Sequence, residues 1–128
     1  MKKIDTILII DDDKCTVEIV SLILQNAGYI VICETDGKLQ FLKQQIIPDL
    51  IILDNSLGEE DGAVICSQLK QTEEVSAVPI IMISATPEVE TIALKAGANA
   101  FLPKPFSMHQ LLKIIEVHLK QKNPIVTG

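Results

Sequence analysis

The stretch PDLIILD, residues 48–54, is the part of the sequence that decides the fold. It runs from a proline through four consecutive aliphatic residues to a carboxylate, Asp54. Aliphatic residues without alternating polar ones predict a strand that is buried on both faces, as in a parallel sheet covered by helices. We therefore expect Asp54 to stand where a buried strand ends.

Three more aliphatic runs lead to polar residues. Residues 7–10 lead into the acidic triplet DDD at 11–13, residues 80–83 lead to Ser84, and residues 100–103 lead to Lys104. The predicted strands are 5–10, 29–33, 49–53, 80–83 and 100–102, and the predicted helices are 14–27, 37–45, 62–71, 87–96 and 108–121. Residues 54–61 are predicted to be a loop, and the third helix is expected to bury Val64, Ile65 and Leu69.

Alternating strands and helices predict an α/β fold, a doubly wound five-stranded parallel sheet with five helices on both faces. Residues 1–122 are expected to form one domain, followed by a C-terminal tail at 123–128. In such sheets the functional site lies beyond the carboxyl ends of the strands. The acidic triplet, Asp54, Ser84 and Lys104 are therefore expected to share one edge.

Composition argues against several classes of function. With 128 residues and a net charge of −6, the chain lacks the positive surface that binds nucleic acid or an anionic membrane. We expect no direct nucleic acid contact and no membrane insertion. Three widely spaced cysteines, Cys15, Cys33 and Cys66, indicate free buried thiols in a reducing cytoplasm. His109 and His118 lie nine positions apart, which is not a metal-ligand spacing, and are interpreted as surface residues.

The carboxylates at the strand ends favour a divalent cation. Asp11, Asp12 and Asp54 are expected to lie close together, and two unit charges about 4 Å apart repel by roughly 1–4 kcal/mol. Mg²⁺, with Mn²⁺ as an alternative, relieves this repulsion and prefers oxygen ligands. The triplet alone has a plainer explanation, because Asp13 can cap the following helix beside solvated neighbours.

Asp54 is the candidate nucleophile, because a carboxylate can accept a phosphoryl group and form an acyl phosphate. Phosphoryl transfer depends mainly on positioning and charge neutralisation. Lys104 supplies a compact positive charge and Ser84 a hydroxyl donor. Taken alone, Lys104 is better explained as a surface lysine and Ser84 as a loop residue. Only their joint placement at the ends of different strands favours a phosphoryl site.

Over nearly its full length, the chain resembles the receiver domain of two-component response regulators. The resemblance rests on four stretches in order: ILIIDDD at 7–13, PDLIILD at 48–54 with DG at 61–62, PIIMISA at 79–85, and AGA at 96–98 through FLPKPF at 101–106. It implies the flavodoxin-like strand order 2-1-3-4-5. It also implies a phosphorelay module, not a conventional enzyme, that receives phosphate from a sensor histidine kinase or a histidine phosphotransfer protein. A downstream protein partner and a phosphorylation-dependent dimer are further expectations.

The resemblance implies roles for the residues around the acceptor. Asp54 accepts the phosphoryl group. Mg²⁺ is bound by the side chains of Asp12 and Asp54, by the backbone carbonyl of Ser56, and by Asp11 mainly through water.

The resemblance also implies a switch. Lys104 and Ser84 contact the phosphoryl group, and Phe101 takes the place of the aromatic residue that turns inward when Ser84 moves. The Lys104–Pro105 peptide bond is expected to be cis. The fourth helix, fifth strand and last helix form the expected output face.

Three departures from the family pattern stand out. Gly58 replaces the usual proline after the acceptor, and two glutamates at 59–60 make that loop more acidic. Ser84 replaces the commoner threonine. The segment between Ser84 and Gly97 is slightly short, which predicts a late or trimmed fourth helix.

Two other functions fit parts of the pattern. A haloacid-dehalogenase-type phosphohydrolase also uses a strand-end aspartate, and Asp11 with Asp13 mimics its opening motif. That class needs an acidic pair after the lysine, whereas Glu116 is the only acidic residue beyond Lys104. A receiver-like scaffold that is never phosphorylated needs none of the site residues.

Overall fold

The structure, a computed structural model, describes residues 3–58 and 60–122, without the side chains of 121 and 122. Five parallel strands form the main sheet in the order β2-β1-β3-β6-β7. They are β1 (Thr6–Ile10), β2 (Ile30–Glu34), β3 (Leu50–Asp54), β6 (Ile80–Ser84) and β7 (Ala100–Pro103). Since β6 and β7 are the fourth and fifth strands of this sheet, the predicted order 2-1-3-4-5 is confirmed.

Five helices cover the sheet: α1 (Lys14–Asn26), α2 (Gln40–Lys43), α3 (Gly62–Lys70), α4 (Val89–Lys95) and α5 (Met108–Lys122). One core cluster, the α3–α4 core cluster, packs one face of the sheet against α2, α3 and α4. Leu8, Leu53 and Leu69 are among its fully buried members. The other joins the opposite face to α1 and α5, with Ile9 and Leu111 at its centre. Each fully buried aliphatic side chain stabilises the fold by about 1.5–3 kcal/mol.

Capping explains where two helices begin. Asp13 caps α1, because its carboxylate accepts hydrogen bonds from Cys15 N at 3.1 Å and Thr16 Oγ1 at 2.8 Å. Before α5, Ser107 and Gln110 form the predicted capping box, each side chain accepting from the other residue's backbone N–H, at 3.0 and 2.8 Å.

The second helix is shorter than predicted. The sequence indicated residues 37–45, whereas α2 covers Gln40–Lys43. Leu39 has a φ of 55°, in the left-handed region, and so cannot belong to the helix. The carboxylate of Glu34 instead accepts hydrogen bonds from Gln40 N and Phe41 N, at 2.9 and 2.7 Å, and starts the helix there.

The predicted loop at 54–61 is wrong in part. It contains two short antiparallel strands, β4 (Ser56–Leu57) and β5 (Glu60–Asp61), which form a hairpin.

Two predictions of burial are also wrong in part. Val64, predicted to be buried, is 54% exposed, because α3 buries Ile65 and Leu69 on its other side. Of the three free cysteines only Cys66 is buried, since Cys15 and Cys33 lie on solvent-facing positions of α1 and β2.

Further predictions concern the chain ends and surface. The predicted tail at 123–128 lies outside the described residues. The fourth helix is indeed short, with seven residues. Within the described residues, no helix combines the length and apolarity that a membrane crossing requires.

Candidate functional site

The carboxyl ends of β1, β3, β6 and β7 bring the candidate residues to one edge of the sheet. Ile10 pairs with Leu53 in the register, so Asp11 follows β1 beside Asp54 at the end of β3. On the other side Asp54 pairs with Ile83, which places Ser84 one position further along β6. The fold therefore brings Asp11, Asp54 and Ser84 to the edge of the sheet that the alternation of strands and helices predicted.

Three carboxylates form a cluster at this edge. One oxygen each of Asp11, Asp12 and Asp54 lies within 4.8 Å of the other two. Asp11 and Asp54 are buried, whereas Asp12 is exposed. Two ligands of one ion that each lie about 2.1 Å from it are no more than about 4.2 Å apart, so small side-chain adjustments let this cluster hold an octahedral cation such as Mg²⁺.

Asp13 stands apart from the cluster. Its carboxylate is occupied by the cap of α1, and the hydroxyl of Thr16 is the main reason that its pKa is lowered. Its backbone N–H donates to Asp11 Oδ1 at 2.9 Å. The third residue of the triplet therefore orients Asp11 and starts the helix.

Lys104 provides the positive charge at this edge. Its Nζ lies 3.1 Å from Asp54 Oδ1, with the side chains 30% and 9% exposed respectively. The backbone holds the lysine in place, since Lys104 N donates to Ser84 O at 2.9 Å. The Lys104–Pro105 peptide bond is cis. The structure thus brings Lys104 to Asp54 over a separation of 50 residues.

Burial makes the two inner carboxylates hard to ionise. Desolvation raises the pKa of Asp54, against the lowering effects of the Lys104 hydrogen bond and charge. Desolvation likewise raises the pKa of Asp11, opposed first by the Asp13 N–H and reinforced by the charge of Asp54. Ionisation of these neighbouring carboxylates is therefore opposed by burial and by mutual repulsion, which a bound cation would relieve.

Ser84 follows the position of β6 that pairs with Asp54, whereas Phe101 lies one strand further away, on β7. Ser84 is buried, and its Oγ accepts from Thr86 N at 3.0 Å, so the hydroxyl proton stays available to a phosphoryl oxygen. Phe101, on β7, is half-buried against the α3–α4 core cluster. Their roles as switch residues stay predictions. His109 is exposed, and His118 Nδ1 bonds Ile114 O at 2.8 Å; among the described residues, neither histidine belongs to the carboxylate cluster.

Two glycines shape the loop after Asp54. A Cβ on Gly62 would lie 2.6 Å from Asn55 Cα and 2.7 Å from the backbone oxygen of Asp54, so only glycine lets α3 begin this close to the acceptor. Gly58 has a φ of 63°, which the proline usual at this position cannot adopt. Sequence reasoning noted both residues but assigned Gly62 no role. The Asp-Gly pair at positions 61 and 62, seven and eight residues after the acceptor, was the available signal.

Replacing Asp11 with asparagine should stabilise the metal-free protein at neutral pH by about 1 kcal/mol, because the amide removes a buried charge that is disfavoured first by desolvation and then by repulsion from Asp54, which is about 1 kcal/mol for charges about 4 Å apart in water. The folded-state pKa of Asp11 is raised above the ordinary 3.8, so the ionised carboxylate costs stability above that raised pKa. The gain should shrink as pH falls through the raised pKa and vanish below 3.8. Urea unfolding with EDTA across this range measures it.

Mg²⁺ provides the control for this variant. The cation should stabilise the wild type more than Asp11→Asn, because the variant has lost a charged group facing the ion. A variant less stable than the wild type in EDTA at pH 7 would contradict the repulsion argument.

Comparison with known proteins identifies the family. The response regulator receiver domain family matches residues 7–116. The chain belongs to this family. The receiver domain is 36% identical, over 93% of this chain and 51% of that protein, to RpaA of Synechocystis sp., a DNA-binding dual master transcriptional regulator.

Solved structures agree with the receiver fold. A putative response regulator from Chloroflexus aurantiacus superposes with a TM-score of 0.85 at 32% identity, covering 91% of this chain and 98% of that one. The receiver domain of the sensor histidine kinase PA1611 from Pseudomonas aeruginosa, described with a magnesium ion in its active-site cleft, gives a TM-score of 0.81 at 26% identity, covering 91% and 98%.

The receiver chain spans about half the length of the curated relatives it matches. The prediction of no direct nucleic acid contact is not supported, because RpaA is itself described as DNA-binding. The acidic charge on which that prediction rested describes only these 128 residues and not the other half of such relatives.

Proposed function

We propose that Asp54 of this receiver domain accepts a phosphoryl group from a phosphohistidine on a sensor histidine kinase or a histidine phosphotransfer protein. The observation that carries the proposal is the approach of Lys104 Nζ to 3.1 Å from Asp54 Oδ1, beside a three-carboxylate cluster. A lysine and a divalent cation on either side of one carboxylate suit a group that brings further negative charge to it.

Each residue of the site has its own proposed role in phosphoryl transfer. A carboxylate oxygen of Asp54 attacks phosphorus as the bond to the donor imidazole breaks, and Lys104 and the Ser84 hydroxyl donate hydrogen bonds to the transferred oxygens. Asp11, Asp12, Asp54 and the Ser56 carbonyl would hold Mg²⁺, or Mn²⁺ in its place. The cation would neutralise charge on the phosphoryl oxygens.

A groove beside the acceptor suits a protein donor. It encloses about 430 Å³ between α1 and the 104–108 segment, and Lys104 lines it together with apolar residues of α1 such as Ile19. Ile19 is 60% exposed and Met108 is 58% exposed on its rim. A partner helix with an apolar face can therefore pack here and bring its phosphohistidine to Asp54.

The proposed readout is conformational. A phosphoryl group on Asp54 is satisfied by Ser84 and Lys104 in one arrangement of their loops, which favours that arrangement over others. Phe101 and the surface of α4, β7 and α5 would then present a changed face to a downstream protein or to a second copy. Self-catalysed phosphorylation and dephosphorylation at Asp54 are the only chemistry proposed, and the proposed location is the cytoplasm.

Intact mass spectrometry tests the acceptor chemistry. Incubation with phosphoramidate and Mg²⁺ should add one phosphate to the wild-type chain, and EDTA should prevent the addition. A folded protein that gains no phosphate under these conditions would refute the phosphoacceptor proposal.

A further inference from the structure

The hairpin after the acceptor stands directly beside the acidic cluster. In its register Ser56 pairs with Asp61 and Leu57 pairs with Glu60. Leu57 is buried in the α3–α4 core cluster, which anchors the first strand of the hairpin. At the tip, a Cβ on Gly58 would lie 3.7 Å from Asp12 Oδ2, so the tip approaches the exposed carboxylate of the cluster.

The second strand of the hairpin is fastened to a different loop. Glu60 Oε1 accepts a hydrogen bond of 3.2 Å from Gly37 N, in the loop between β2 and α2. The hairpin itself has only two paired positions, since the strands are two residues long. The base of the hairpin is closed by Gly62 N, which donates to Asn55 O at 2.8 Å, so the Glu60 contact is a further, solvent-exposed attachment of the second strand.

The loop that receives Glu60 is fixed to the acidic edge. Glu34 O accepts from Asp11 N at 3.0 Å, while the Glu34 carboxylate starts α2 through Gln40 N and Phe41 N. Gly37 lies between these two attachments. The hydrogen bond from Gly37 to Glu60 thus joins the hairpin to the strand end that carries Asp11.

The absence of a side chain at Gly37 makes this contact possible. A Cβ at that position would collide with the Glu60 carboxylate and with Ile65 Cδ1. Both of these atoms are the ends of flexible side chains, so a larger residue would displace Glu60 from the amide without blocking the fold.

We propose that Glu60 is a positioning residue, which fastens the hairpin to the β2–α2 loop and thereby holds the Ser56 backbone carbonyl toward the acidic cluster. The inference rests on the proposed Mg²⁺ site and adds a residue to it. Glu60 acts through Ser56 and not as a ligand. Without the contact, the hairpin samples other arrangements and the cation binds only the fraction that is correctly arranged.

Calorimetric titration with Mg²⁺ tests the inference on folded, unphosphorylated protein. Glu60→Ala should weaken the affinity by about two- to tenfold, the range that corresponds to one typical hydrogen bond, because this contact is exposed to solvent. Glu60→Gln keeps an acceptor oxygen and should retain nearly wild-type affinity. Glu74→Ala, at an exposed glutamate in the 3₁₀ turn Glu73–Val75, removes the same charge elsewhere and should match the wild type.

Hydrogen exchange gives a second readout. The Gly37 amide should exchange faster in Glu60→Ala than in the wild type, and Glu60→Gln should restore its protection. Equal affinity in Glu60→Ala and the wild type would overturn the inference. A Glu60→Gln variant as weak as Glu60→Ala would also overturn it, because charge would then be responsible and not the hydrogen bond.

A double-mutant cycle tests the contact by also changing Gly37, the residue whose N–H donates the hydrogen bond. Gly37→Ala should weaken Mg²⁺ binding in the wild type but add little in the Glu60→Ala background, since the contact is already lost there. Fully additive losses would overturn the inference. If the wild type binds no Mg²⁺ and gains no phosphate, the proposed function is refuted together with the inference. If the wild type is phosphorylated normally and Glu60→Ala binds Mg²⁺ with unchanged affinity, only the positioning role of Glu60 is refuted.

Discussion

Asp54→Asn should abolish phosphate incorporation from phosphoramidate in the presence of Mg²⁺. The amide that replaces the carboxylate is not a nucleophile at neutral pH, and Asp54 is the carboxylate that accepts the hydrogen bond from Lys104. The side chain keeps its shape and an oxygen that can accept from Lys104 Nζ, 3.1 Å away in the wild type. Intact mass should show the unmodified chain after times that saturate the wild type.

Asp11→Asn is the matched control for this variant. It removes one carboxylate from the same cluster but leaves the acceptor, so it should slow incorporation without preventing it. The opposite pattern, with phosphate retained in Asp54→Asn and lost in Asp11→Asn, would assign the nucleophile to Asp11. That result would favour the haloacid-dehalogenase-type hydrolase over the receiver mechanism.

Lys104→Met should slow phosphorylation of Asp54 by small phosphodonors on the order of tenfold to 100-fold. Loss of one donor to developing charge in a buried site costs about 10²–10³ in rate. The effect is expected to be smaller here because the Lys104 side chain is 30% exposed and water partly replaces it. Methionine keeps most of the length and apolar volume of the stem, so the change isolates the charge. Initial rates of mass change, at saturating Mg²⁺, measure it.

Lys95→Met provides the comparison, because Lys95 is an exposed lysine at the end of α4 and away from the acceptor. It should leave the rate unchanged. Lys104→Met should also raise the pKa of Asp54 further, since the lysine hydrogen bond and charge now lower it. A Lys104→Met protein that is labelled at the wild-type rate would remove Lys104 from the proposed phosphoryl site.

The local pattern of aliphatic residues in the sequence predicted the strands of the main sheet well. The aliphatic runs at β1, β3 and β6 are buried on both faces, because a parallel sheet leaves those strands no solvent side. The caps at Asp13 and Ser107 were also readable, since they depend on neighbours within three residues. The same local reasoning placed each site residue at a strand end, and the parallel arrangement gathered those ends at one edge.

Errors arose where distant contacts compete with local preference. Residues 37–39 are excluded from α2 because Leu39 adopts a left-handed conformation and Glu34 starts the helix at Gln40. Val64 was predicted to be buried with Ile65 and Leu69, but it lies one position before Ile65 and five before Leu69, outside their stripe, and it faces solvent. The helix period therefore explains Val64, whereas the start of α2 depends on contacts outside the segment.

The sequence by itself determined which residues stand at the carboxyl ends of the strands, because burial periodicity and capping are local properties of the chain. Only the tertiary structure decided that Asp11 and Asp54 are buried while Asp12 is exposed. It also decided that Lys104 reaches Asp54, and that Glu60 reaches Gly37 across 23 residues. Such contacts depend on how loops from separate strands meet in space, which no single segment encodes.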